Sequence, residues 1–167
     1  MRATPRRVLL GGAVLIAGMI VMPAQSQATP AVGVIATQVS RAAFADHTSV
    51  KLTVSKGRHK KVYKAKDASD VVVQTLTFAP GADTGWHSHP GPVIVSVLQG
   101  TLTYYDGTGR CRGRAYPAGT AFIDPGDGNV HTVRNETTEP AQTSAVFFGV
   151  PAGGPRIDEP SPGNCPF

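Results

Sequence analysis

The chain has 167 residues, 41% hydrophobic and 16% charged, which suits one globular domain able to bury its own core and excludes a disordered or collagen-like polymer. Its formal charge of +5 overstates the basic character, because Arg2, Arg6 and Arg7 lie in a leader-like segment. Without residues 1–28 there remain 13 basic and 11 acidic side chains, about +2, too little to argue for nucleic acid as a partner.

The leader has the three parts of a signal peptide: the arginines, an uncharged and mostly apolar run from Val8 to Met22, and small residues in Ser26-Gln27-Ala28. Cleavage is expected after Ala28, giving an exported, secreted or cell-surface product. About 15 residues at 1.5 Å each span roughly 22 Å, short of the roughly 30 Å hydrocarbon core, so contact with a membrane is expected only through this segment if it stays uncleaved. Arg6-Arg7 before Val8-Leu9-Leu10 partly resembles a twin-arginine signal, from which Pro5 and Gly11 depart, and both export routes stay open.

Residues 29–69 are expected to be a linker and edge strands. Thr29–Gly33 is the linker, Val34–Ser40 a first edge strand, and Ser49–Ser55 a strand that runs into the basic stretch from Lys56 to Lys66. Lysines on a strand or hairpin edge block edge-to-edge pairing, so this stretch is read as a solvated edge in preference to an anion-binding patch. His47 and His59 have no partner at ligand spacing and are read as surface histidines.

From residue 70 to 150 the pattern is regular. Val71–Phe78, Val93–Leu98, Leu102–Tyr105, Arg110–Tyr116, Ala121–Ile123, Val130–Arg134 and Thr143–Val150 are short, β-branched or aromatic runs between Gly, Pro and Asp turns. They indicate an all-β, antiparallel sandwich or barrel. The tail 151–167 has no periodicity and is expected to be irregular and surface-lying. Cys111 and Cys165 are expected to form a disulfide that ties this tail down; a loop of about 55 residues contributes roughly 4 kcal/mol by the chain-entropy estimate.

Two stretches carry chemistry. In Gly81–Gly100, His87 and His89 stand two residues apart, so an extended backbone points both imidazoles the same way. In Gly119–Asn135, His131 follows a turn and begins another apolar-alternating segment. Together they resemble the two motifs of the cupins. Gly81, His87, His89 and Gly100 match the first, with Val93 where the motif has a glutamate. Gly119, Pro125, His131 and Asn135 match the second, with one extra residue, so that Gly128 supplies the motif's glycine.

The resemblance implies a single small β-barrel jelly roll following the signal sequence, with His87, His89 and His131 as ligands of a divalent transition metal: iron, manganese, copper, nickel or zinc. It also implies a small-molecule ligand and a homodimer. Strand parity puts Val93, Val95 and Val97 on the face of the missing glutamate, and Trp86, Tyr104, Phe122 and Phe147 are further candidates for the pocket, Trp86 either stacking on a flat ligand or simply packing. Asp83 and Asp124 are read as surface turn residues, with a role beside the histidines as the alternative. Asn135 is expected to close the end of its strand, and Gly81, Gly100, Gly119, Pro125 and Gly128 to form turns.

Three neutral imidazoles leave a divalent ion its full charge, which favours an anion or hydroxide in an open position. The expected function is that of an exported metal-binding cupin, with oxygenase chemistry on a small organic molecule if the protein is an enzyme. A non-catalytic ligand- or metal-binding module is the alternative, and sugar hydrolysis or isomerisation a third reading. No nucleophile elbow or phosphate-cradling glycine loop is present, and no residue beyond the ligands stands out as a general acid or base.

Overall fold

β-Branched and aromatic residues fill ten strands of the chain, whose structure is a computed structural model that describes residues 27–108, 110–165 and 167. Apart from Gln27 and Ala28, the expected signal segment lies outside the described residues. The strands are β1 (Val32–Lys56), β2 (His59–Asp83), β3 (His87–Ser88), β4 (Val93–Gln99), β5 (Thr101–Asp106), β6 (Gly113–Pro117), β7 (Ala121–Asp124), β8 (His131–Arg134), β9 (Ala141–Val150) and β10 (Ile157–Asp158). No helix occurs among the described residues. The strands pair antiparallel in the order β10-β3-β8-β2-β9-β4-β7, with β1 on β2, and β5 on β6 and β8, in a nearly closed barrel.

The segments expected as separate strands before residue 79 are two long ones. β1 and β2 form a hairpin that turns at Gly57-Arg58, where Lys56 faces His59, and pairing continues to Val34 opposite Phe78. Residues 41–46 also belong to β1, and the register shifts between Ala43 and Thr48 absorb their irregularity. β9 joins β2 from Asp70 to Phe78, so the hairpin tip around Lys51 and Lys64 is a two-stranded ribbon. Lys51, Arg58, Lys60, Lys61 and Lys64 are exposed there, as are His47 and His59.

Alternation along β9 buries Ala141, Thr143, Ala145 and Phe147 on one face. Phe78, Val97, Leu102, Phe122 and Val133 form one buried cluster, and Val72, Val93, Phe147 and Val150 a second, with Leu76 and Val95 packed against both. At about 1.5–3 kcal/mol per large side chain, this burial makes the frame that holds the polar groups below.

The tail departs from expectation. Ile157–Asp158 pair with Ser88–His87, Ala28 bridges to Pro160, and the Glu159 N–H donates to the Trp86 carbonyl at 3.0 Å. Short β3 would otherwise leave backbone groups without partners on that side, and the tail supplies them. A Cys111–Cys165 disulfide holds its far end. Gly85, at φ +66°, allows this close packing, since a Cβ there would stand 2.1 Å from the Thr29 carbonyl oxygen.

Candidate metal centre

β3 pairs with β8 so that His87 faces His131, and His89 returns to the same side two residues later. The three side chains are buried, at 6%, 7% and 2% exposure for His87, His89 and His131, and each offers a nitrogen within 4.8 Å of the others. Their ring centroids lie 4.2–5.2 Å apart.

Each Nδ1 faces a carbonyl oxygen. His87 Nδ1 donates to Gly85 O at 2.9 Å, His89 Nδ1 to Pro155 O at 2.6 Å and His131 Nδ1 to Asn129 O at 3.1 Å. A carbonyl can only accept, so each Nδ1 carries a proton, and in the neutral ring that leaves the lone pair on Nε2. Three buried lone pairs with no proton between them are what a transition metal requires, and the residues fit one.

Burial and neighbouring positive charge favour the neutral rings of His87 and His89. Burial first, then His131, His89 and Arg156, lower the pKa of His87 well below its ordinary value, against the opposing Gly85 carbonyl. Burial and then His131 bring His89 down to about 4.

Asp124 corrects the reading of a surface turn residue: it is 1% exposed, and its Oδ2 stands 3.1 Å from His131 Nδ1. Its Oδ1 accepts from the Gly126 N–H at 2.8 Å, and its Oδ2 from the Tyr104 hydroxyl at 3.0 Å and Asn129 Nδ2 at 3.3 Å. Burial first, then Asp124, pushes the Tyr104 phenol well above its usual range, so it remains a donor. Asp124 lies directly across the β4–β7 ladder from Val93. The carboxylate absent at Val93 thus has a counterpart on the neighbouring strand, one imidazole removed from the lone pairs. Strand parity held the signal: Phe122 and Asp124 are two apart in β7, so an inward Phe122 implies an inward Asp124. Asp83, by contrast, is half-buried and paired with Arg134.

Val93, Val95, Phe122 and Phe147 line a small chamber of about 50 Å³ together with His89 and His131. Val97 belongs to the core, and Tyr104 stacks on His131 with centroids 5.1 Å apart. Trp86 is not part of the chamber. An extended backbone sends it opposite to His87, where it stacks on Phe167 at 6.2 Å beside a surface groove. A second cavity of about 120 Å³ shares Leu76, Thr84, His89 and Phe147 with the chamber and adds Pro155 and Arg156 from the tail. Neither tail residue carried a sequence signal.

Asn135, 1% exposed, donates to Ala79 O at 3.0 Å and Glu139 O at 2.8 Å and so closes the end of β8.

Residues 74–147 match a family model described as Cupin_2, cupin domain. No curated protein matches the chain. Among solved structures, the cupin_2 domain of an XRE-family transcriptional regulator from Enterobacter cloacae is 18% identical with a TM-score of 0.45, over 72% of this chain and 99% of that one. An uncharacterised protein with a double-stranded β-helix domain from Klebsiella pneumoniae is 20% identical with a TM-score of 0.45, over 70% and 83%. Oxalate oxidase in complex with glycolate is 26% identical with a TM-score of 0.43, over 47% of this chain and 41% of that one, so this chain spans less than half the length of that relative.

Proposed function

The chain carries a cupin domain and belongs to the cupin superfamily, and from that premise we propose that His87, His89 and His131 hold one divalent transition metal through Nε2 and present it to a small organic ligand. The observation that carries this reading is the set of three Nδ1 donors, each committed to a carbonyl oxygen. Iron, manganese, copper, nickel and zinc all accept imidazole nitrogen, and such an ion supplies Lewis-acid or, for the redox-active metals, oxygen-activating chemistry.

The protein's own part is to keep the place dry and aligned. Leu76, Val93, Val95, Phe122 and Phe147 exclude water, and Asp124 orients His131. A chamber this small, set against the roughly 300–1,000 Å³ of a drug-sized pocket, admits only a few non-hydrogen atoms. Oxygenase chemistry on such a molecule is the first reading. Oxygen uptake by iron-loaded protein with a panel of small organic acids tests it, with uptake matched by product as the expected result.

A binding module without turnover is the second reading. It is favoured by the walls: apart from the histidines, the titratable group lining the chamber is Asp124, whose oxygens are already engaged. Absence of uptake across the panel, with ligand binding retained, would select it. Export through residues 1–28 is supported by the disulfide, which suits an oxidising compartment. The homodimer implied by the family would form along β1, where Val32, Ile35 and Val39 remain 64%, 71% and 63% exposed, and sedimentation would show it.

A further inference from the structure

We propose that Arg156 is the anion receptor of this site and that the molecule taken up is a short-chain carboxylate, held by the guanidinium at one end and facing the three histidines at the other. The proposal rests on the metal-site reading above and names the substrate class for it.

The first observation is an orphan. The Arg156 side chain is 30% exposed, but its Nη2 is buried and is the one buried side-chain nitrogen or oxygen without a hydrogen-bond partner among the described residues. A guanidinium nitrogen removed from water loses its hydration, and folded proteins almost always give such a group an acceptor. No acceptor among the described residues does so, and a ligand oxygen would.

The second is its position. Arg156 and His89 line the same cavity of about 120 Å³, with Ala31, Val34 and Phe147 among its apolar walls. The tail carries Arg156 there on a fixed backbone. Pro155 on one side accepts from His89 Nδ1, and Ile157–Asp158 on the other side pair with β3. Arg156 Nε is bonded to Asp158 Oδ1 at 2.6 Å, which orients the planar fork while leaving Nη2 free. A guanidinium so oriented matches the two oxygens of a carboxylate better than a point charge does.

The third is charge and size. Asp158, the acid on the fork, is 52% exposed, so solvent screens part of its field. The histidines add none of their own while neutral, and a divalent ion held by them would add two positive charges. An anion is therefore favoured from both ends of the cavity. The small volumes limit its carbon chain to a few atoms.

The test is an NMR titration of acetate and of its neutral isostere acetamide into metal-free and zinc-loaded protein, with zinc equivalents counted in every sample. The wild type is expected to prefer acetate by about tenfold or more in Kd, and Arg156→Gln to lose about tenfold for acetate while acetamide binding and zinc content stay as they were. Asp158→Asn, whose amide oxygen still accepts from Nε and keeps the fork oriented, removes the competing negative charge and is expected to tighten acetate binding a few-fold. Equal acetate affinity in the wild type and Arg156→Gln, or no preference over acetamide in the wild type, would overturn the proposal. Should Arg156→Gln not fold, Asp158→Asn decides: unchanged or weaker acetate binding overturns it. Failure of the wild type to take up zinc would remove the metal reading alone, since acetate preference in the metal-free protein still stands or falls with Arg156.

Discussion

The C-terminal tail and the tip of the β1–β2 hairpin look equally peripheral in the sequence, one rich in Pro and Gly, the other in Lys. The structure separates them. The tail is bound by a disulfide, by β10 on β3, and by the Ser88 hydroxyl, which donates to Glu159 at 2.8 Å; it supplies the carbonyl that fixes His89. The ribbon is held by its own two-stranded pairing and turns Lys51, Lys60, Lys61 and Lys64 to solvent. What binds a segment to a site is thus the set of backbone groups it satisfies, and residue composition says little about that.

The largest effect should come from releasing the tail. Cys165→Ser is expected to lose about 4 kcal/mol of stability in denaturant titrations and to weaken metal binding as well, because Pro155 no longer fixes His89. A variant that keeps both would place the tail in the ribbon's class.

Next comes pH in the metal-free protein. His87 and His89 have folded pKa values below the unfolded value near 6.5, so below that pH the unfolded chain binds protons more readily than the folded one. Stability should fall between about pH 6.5 and 4, by on the order of 3 kcal/mol from His89, and then level off with respect to this group. Thermal unfolding across that range checks it, and His89→Gln should flatten the fall.

Asp124→Asn should lower metal affinity about 10–100-fold with little change in fold, because it loosens the orientation of His131 without removing a ligand. Competition with a chelator reads it. Smallest of all, replacing Lys60, Lys61 and Lys64 by Gln should shift stability by no more than about 0.5 kcal/mol per site and leave metal affinity unchanged. A larger loss would mean that the ribbon supports the site after all.

Much of the barrel and the three histidines were legible in the sequence, because period-two alternation and the His-x-His spacing state directly which side chains share a face. The long β1–β2 hairpin was not, since lysines and the irregular stretch near Ala43 hide a continuous ladder from any local pattern. Asp124 was misread because Asp before Pro-Gly is the usual signature of an exposed turn, although its parity with Phe122 pointed inward. Trp86 followed the opposite parity out of the pocket. Pro155 and Arg156 were illegible: their roles depend on a tail brought back by long-range pairing and a disulfide, and a backbone carbonyl has no residue code.

Whether the three histidines hold a metal is decided by metal content from mass spectrometry, on protein purified without an affinity metal column, beside a His87→Ala His131→Ala double variant. Near one equivalent of a single divalent transition metal is expected in the wild type and none in the variant. No metal in the wild type even after reconstitution, or the same content in both, would contradict a three-histidine metal site.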